Sequence, residues 1–493
     1  MTTHNSSRAP NPGWKTAIHL SNLLLLLAIS ALLYHLPFGP ARGREIFDEG
    51  GPEFIRGDTN NDDAVDISDA IYCLSYLFTD GEAPSCLSAT DTDDNGQVEL
   101  IDAITLLNYL FNGGPPPLPP FPQQGIDPTP DLGCREPPLP PLPEVGSLGG
   151  PDRTLTASEA VSWRNGRELF DRPTKISEGL GPLFNGDSCR GCHLDPVLGG
   201  AGGLDLNVVR FAYIDEGGTV SQLEGGPVAS RFSTPSVPRE EIPLNANVVE
   251  TRQPPTCLGL GLVDRISDSV LLANADPDDL DGDGISGRAR MVNGRVGRFG
   301  HKAGVPTLSD FVADALLNEL GLTVNSVHSL FGGDSDTDAV GDPEVSDQEF
   351  QDLTFFLSHL APPPRVIPPD PISRNRINQG EILFGNIGCD SCHLPVINAA
   401  DGPVRAYSDF LLHDVADPAR NHVNEPGVAP GEFRTAPFLG LRHTAPYLHN
   451  GAAETLQEAI FLGHHGEATA ARNAYAALSL LQKSQLHAFL FSL

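Results

Sequence analysis

The chain has 493 residues, 40% of them hydrophobic and only 7% aromatic, with 51 Gly and 45 Pro. That is enough for about three domains joined by long ordered loops. The formal net charge of −33 excludes a general nucleic-acid binder, because a phosphate backbone requires a basic face.

In chain order, residues 16–37 form an apolar run behind Arg8 and Lys15, followed by Gly39-Pro40-Ala41. This is the arrangement of a secretory signal over residues 1–41, either cleaved or retained as a membrane anchor. It predicts an exported protein, periplasmic or at the cell surface.

An internal repeat follows. Asp58, Asn60, Asp62, Ala64, Asp66 and Asp69 stand at loop positions 1, 3, 5, 7, 9 and 12 ahead of the apolar segment AIYCLSYLF. Asp91, Asp93, Asn95, Gln97, Glu99 and Asp102 repeat the spacing ahead of AITLLNYLF. Side-chain oxygens at such positions, with a backbone carbonyl from position 7, wrap calcium. The helices match as well, through Ile71/Ile104, Leu74/Leu107 and Phe78/Phe111. This duplicated calcium loop, over residues 55–114, resembles a type I dockerin module. The resemblance implies a cohesin-like partner; the alternative is a calcium-stapled spacer. Asp63 stands where the second loop has Gly96, so the first turn is expected to be strained.

Residues 115–150 carry two proline runs and read as an extended, semi-rigid linker. Of eight cysteines, Cys86 and Cys134 are positioned to bridge the small module to this linker, whereas Cys73 and Cys257 read as buried free thiols.

Two segments then carry the chemistry: Cys189-Arg-Gly-Cys192-His193 and Cys389-Asp-Ser-Cys392-His393. In this pattern two thiols add to the vinyl groups of a haem and the adjacent His becomes the proximal iron ligand. A lone Cys-x-x-Cys also suits zinc or a redox pair, but the immediate His, occurring twice, points to two covalently attached haems. Gly166-Arg-Glu-Leu-Phe170 precedes the first motif and Gly380-Glu-Ile-Leu-Phe384 the second. Amphipathic helices close each unit, one through Phe350, Leu353, Leu357 and Leu360, the other through Leu486, Phe489, Leu490 and Leu493. The expected fold is mainly α, with cytochrome c-type haem domains at residues 151–364 and 372–493 separated by a proline-rich hinge. The first domain carries long insertions.

From about residue 155 onward the chain is similar to the bacterial di-haem oxidoreductases, relatives of the di-haem cytochrome c peroxidases. The carriers are residues 179–185, 279–287, 297–302 (Gly-Arg-Phe-Gly-His-Lys), 412–414 (Leu-His-Asp) and, above all, Phe433 through Gly451 leading into Thr455–Ala459. The resemblance implies one low-spin haem that passes electrons and another that, in the peroxidases, binds hydrogen peroxide. It implies a redox partner such as a small cytochrome or cupredoxin. His301 and Val415 stand where relatives carry Trp and Met.

The sixth ligand decides what each iron does. Met1 and Met291 are the only methionines, so a Met ligand in the second domain is unavailable. In the peroxidase relatives a low-spin haem takes its Met from about the segment after Thr455–Ala459, so the resemblance implies His464, with His465 as alternate, as the ligand to the second iron. No His lies between His193 and His301, so the first iron is open or weakly ligated, or His301 reaches it. An open iron needs an acid–base group and a charge stabiliser nearby, for which Glu250, Arg252 and Gln253 are candidates. Asp279, Asp281 and Asp283 form a third calcium candidate, and His413, His443 and His449, which sit in motifs of the resemblance, read as hydrogen-bonding or haem-propionate partners rather than iron ligands.

Overall fold

The computed structural model describes residues 53–493 apart from 80, 82, 130–131, 135–141, 217–219, 222, 224–227, 240, 328–332, 334, 339, 421 and 424. The apolar run at 16–37 lies outside the described residues. Two compact units divide near Pro140.

In the first unit each calcium-type loop feeds a helix, α1 (Ile67–Phe78) and α2 (Leu100–Asn112). Asp69 and Asp102, the twelfth loop residues, each accept the backbone N–H of the helix N-cap residue, at 2.8 and 2.7 Å. The loop's last carboxylate thus also starts the helix. The helices pack through Ala70, Cys73, Ala103 and Leu106, all buried. The repeated pairs Ile71/Ile104 and Phe78/Phe111 stay exposed. Fully buried Arg56 donates to the carbonyls of Ser88, Asp91 and Pro119 and to Asp127, while Phe121 packs edge-on against Tyr109. The first proline run therefore folds back onto the module. Cys86 and Cys134 form a disulfide, and Cys73 is a buried free thiol.

The second unit contains two helix pairs built alike. Helix α3 (Ala157–Asp171) precedes the first Cys-x-x-Cys-His, α4 (Leu308–Ala315) lies in the long insertion, and α5 (Asp347–Ser358) packs on α3. Helix α6 (Pro371–Asn386) precedes the second motif, α7 (Leu456–Gly463) follows it, and α8 (Leu480–Leu490) packs on α6. Both crossings occur at a glycine. A Cβ on Gly166 would lie 2.0 Å from the Asp352 carbonyl oxygen, and one on Gly380 2.1 Å from that of Gln485. Side-chain oxygens of Thr156, Ser346, Asp370 and Ser479 cap these four helices, the residue types that accept orphan N–H groups. Two hydrophobic cores result, one around Trp163, Phe170 and Phe356, the other around Phe384, Tyr407 and Phe489.

The expectation of a mainly α fold is overturned: 35% of the structure is helix and 13% strand. The insertion after the first motif forms a four-stranded antiparallel sheet. Its central strand β1 (Val208–Ile214) pairs with β2 (Val220–Ser221), β3 (Val228–Ala229) and β4 (Val248–Arg252), the last in register from Val208↔Arg252 to Ala212↔Val248. A further ladder joins β5 (Leu412–Asp414) to β6 (Glu432–Arg434). The burial of β4 alternates residue by residue, the period of a half-buried strand. Long connections between haem-motif helices must satisfy their backbone N–H and C=O groups somewhere, and here they do so by pairing with one another.

Candidate functional site

The two Cys-x-x-Cys-His motifs fold alike from the first Cys to the His, although Ser188 caps the first turn and a left-handed Gly388 opens the second. Cys189–Gly191 and Cys389–Ser391 each form a single 3-10 turn, and each His N–H donates to the first Cys carbonyl at 3.0 Å. His193 Nδ1 donates to the Gly200 carbonyl at 3.3 Å and His393 Nδ1 to that of Tyr407 at 2.9 Å. A carbonyl only accepts, so Nδ1 carries the proton and Nε2 keeps its lone pair, the tautomer a metal-binding imidazole needs. Phe170 lies 6.3 Å from the His193 ring and Phe384 6.4 Å from that of His393. Burial pushes the thiols of Cys189 and Cys389 up to about 12. A redox-active Cys-x-x-Cys has a depressed thiol instead, so these donor sets fit haem attachment better than disulfide exchange.

A cavity of about 630 Å³ is lined by the motif histidines His193 and His393. Across it His464 faces His393, with ring centroids 6.3 Å apart. That exceeds a stacking contact, and it is about the span of two imidazole–metal bonds of ~2 Å each plus two ring radii. His464 Nδ1 donates to the Ala459 carbonyl at 3.2 Å, which leaves its Nε2 free as well. Burial and the facing imidazole push His393 down to about 4, and burial lowers His464. Both rings are neutral at neutral pH, as ligands must be. The alternate, His465, is engaged by Arg472 at 3.0 Å. Phe438 stacks on His393 at 4.2 Å. The ring beside His193 is Phe170, and His301 is tied through Nε2 to the Gln253 carbonyl at 3.2 Å.

The acid–base candidates divide. Gln253 lines the cavity and donates to the Gly202 carbonyl at 2.7 Å. Glu250 and Arg252 sit on β4 behind the cavity wall, and the imidazoles of His422 and His449 line it in their place. Glu250 lies 2.8 Å from His449 Nε2 and 3.3 Å from His422 Nδ1, and it accepts the Val423 N–H at 3.0 Å. Burial opposes its charge, but these imidazoles and Arg252 outweigh burial and hold the carboxyl well below its ordinary range. Arg252 also pairs with Glu425 at 3.3 Å. His422 escaped sequence reasoning: its loop carries neither periodicity nor motif, and only the fold brings it to Glu250.

A second buried network lies beside Cys392. His413 Nε2 donates to Asp409 and Nδ1 to Glu467, both at 2.8 Å. Burial disfavours the imidazolium, yet these partners raise it to about 12. Glu467 also accepts from Ser286 N and Oγ, at 3.1 and 2.7 Å, and from Asp414 N at 3.2 Å. Ser286 ends the Asp-rich turn, where Asp276 rather than Asp283 groups with Asp279 and Asp281. His443 contacts Arg442.

In the first unit Asp91, Asp93 and Asp102 bring carboxylate oxygens within 4.8 Å of one another. Burial raises Asp102 to about 7, and Asp93 Oδ1 is buried without a partner. A hard cation would relieve both. Asp63 adopts φ 62° where Gly96 has φ 83°, so the first loop keeps the same backbone in a residue type that tolerates it.

Residues 244–493, just over half of the chain, match the family described as "Di-haem oxidoreductase, putative peroxidase", and residues 56–111 match the dockerin type I domain. The cytochrome-c peroxidase IdrP2 of Pseudomonas sp. (strain SCT) is 36% identical over 149 aligned residues, which cover 23% of this chain and 38% of that protein. The chain thus spans well under half of that relative. Among solved structures, a MauG-like protein associated with microbial copper homeostasis is 16% identical, covering 70% of this chain and 93% of its own, with a TM-score of 0.35. Hydrazine synthase of Kuenenia stuttgartiensis is 12% identical, covering 75% and 100%, with a TM-score of 0.36. Haem is the cofactor the family implies and calcium the ion the dockerin match implies. The chain belongs to the di-haem oxidoreductase family, joined to a dockerin type I module.

Proposed function

We propose that this protein is an exported di-haem c-type oxidoreductase of the peroxidase type, with unequal haems. Cys189, Cys192 and His193 hold the reactive haem. Cys389, Cys392 and His393 would hold a second, electron-receiving haem, with His464 as the further residue that would ligate its iron. When bound, haem supplies one-electron storage at its iron and, where an axial position is open, a place for hydrogen peroxide to be reduced. The observation that carries the reading is an asymmetry: a phenylalanine, Phe170 or Phe384, lies beside each imidazole, but among the described residues only His393 also has a second imidazole, His464, facing it. Around the cavity, Gln253 orients substrate and Glu250 acts through His449 and His422 as an acid–base set, with Arg252 holding the carboxylate. A small cytochrome or cupredoxin delivers electrons.

The apolar run at 16–37 and the Cys86–Cys134 disulfide support export, since disulfides persist in oxidising compartments. The dockerin module binds calcium through Asp58, Asn60, Asp62, Asp66 and Asp69 and through Asp91, Asp93, Asn95, Glu99 and Asp102. It docks on a cohesin-like partner, a role supported by the exposed apolar pairs Ile71/Ile104 and Phe78/Phe111.

Absorption and EPR spectra of the half-reduced, haem-loaded protein test the reading. One low-spin haem and one high-spin haem that reacts with hydrogen peroxide are expected. Two low-spin haems inert to peroxide would overturn it in favour of an electron carrier.

A further inference from the structure

His464 lies in a short turn whose hold on the rest of the fold is unusual. Upstream, its Nδ1 is tied to Ala459 in α7. Downstream, the His465 N–H donates to the Val415 carbonyl at 3.0 Å. Gly466 has φ 45°, and a Cβ there would lie 2.1 Å from the Asp414 carbonyl oxygen. The turn therefore lies flat against the end of β5. Glu467 then closes it. Both of its oxygens are used: Oε1 accepts from Ser286 Oγ and the Asp414 N–H, Oε2 from the Ser286 N–H and His413 Nδ1. Three separate segments, at 286, 413–414 and 464–467, meet on one carboxylate. Hydrogen bonds to a charged group contribute more than neutral ones, and four of them converge here.

We infer that Glu467 is a positioning residue that latches the His464-bearing turn to β5 and Ser286 and so holds His464 facing His393. The inference rests on the reading of His464 as the sixth ligand of the second haem. A residue behind a metal ligand typically changes its hold by about 10- to 100-fold. Loosening this latch exposes the second iron to outside ligands and leaves the first as it is, because none of the latch's hydrogen bonds involves His193 or its partner Gly200. Ser286 supplies two of the four hydrogen bonds, which makes it the latch's other half. Its backbone carbonyl accepts the Asp276 N–H at 3.1 Å, so the Asp-rich turn holds it in place.

The test uses the full chain with both haems and compares Glu467→Ala, Glu467→Gln, Ser286→Ala and His464→Ala. The readouts are the low-spin EPR signal and midpoint potential of the second haem and its rate of cyanide binding. Glu467→Ala should raise that rate by about tenfold or more and convert part of the low-spin signal to high spin. Glu467→Gln, which keeps a carbonyl oxygen for Ser286 Oγ and Asp414, should fall between it and the parent. Ser286→Ala, which leaves the charge pair intact, should shift the same readouts in the same direction by less. First-haem spectra should not move in any of them. If His464→Ala leaves the second haem low-spin with parental cyanide kinetics, the ligand assignment fails. If His464→Ala opens that haem while Glu467→Ala and Ser286→Ala behave as the parent, the ligand assignment stands and the latch is overturned.

Discussion

The two halves of the second unit are near copies on one side of the proximal His and strangers on the other. Behind His193 and His393 the plan repeats: a glycine crossing, a phenylalanine beside the ring, and a carbonyl accepting from Nδ1–H. In front of them it diverges. His393 meets Phe438 and His464, His193 has no such facing imidazole among the described residues, and the cavity both line also carries Gln253, His422 and His449, with Glu250 behind the last two. On the proposed reading, the duplicated half holds a haem and the unduplicated half sets what that haem does.

The strongest blow to the shared plan is Gly166→Ala or Gly380→Ala. Each added methyl meets a backbone oxygen at 2.0 or 2.1 Å, and the helix pair must separate. About 3 kcal/mol of destabilisation is expected from each, read by denaturant unfolding, and similar losses in both would sustain the equivalence of the halves. A loss in only one would break it.

Next in size is His464→Ala. The low-spin signal of the second haem should disappear while that of the first stays unchanged. His465→Ala should leave both signals as they are, since His465 is held by Arg472.

A third difference is electrostatic. Near the first motif, burial raises Glu319 to about 7 even though Asn185 donates to it. The folded state therefore keeps a proton that the unfolded chain releases near its ordinary value of 4.5. Stability from this group is present below pH 4.5 and is lost as pH rises to about 7. Melting temperature should fall over that window, and Glu319→Gln should flatten the fall. A variant that melts with the parent's pH profile would remove Glu319 from the account.

The smallest effect expected is from Phe438→Leu. Losing the ring stacked on His393 at 4.2 Å should shift the second haem's midpoint potential slightly and leave the first haem's untouched. Equal shifts in both would contradict the separation.

The residue sequence by itself determined whatever is written in contiguous spacing. Cys-x-x-Cys-His puts two thiols and an imidazole on one turn, Asp and Asn at alternate loop positions surround one point, and Thr156 with Glu159 or Ser346 with Glu349 start helices from within a few residues. The repeated Gly-x-x-Leu-Phe was legible too, although its reason, a backbone oxygen pressed on each glycine, appears only at the crossing. The strands were read poorly although Val208–Ile214 (VVRFAYI) carries a β-branched and aromatic run; what no local signal gave is the pairing, because partners such as Val208 and Arg252 are far apart in the chain. Only the tertiary structure decided which residues face the proximal imidazoles. The resemblance could nominate His464, but its alignment with His393, the gathering of His422 and His449 on Glu250, and the meeting of three segments on Glu467 are through-space facts. Coordination and hydrogen bonding act over a few ångströms, a distance that chain separation does not record.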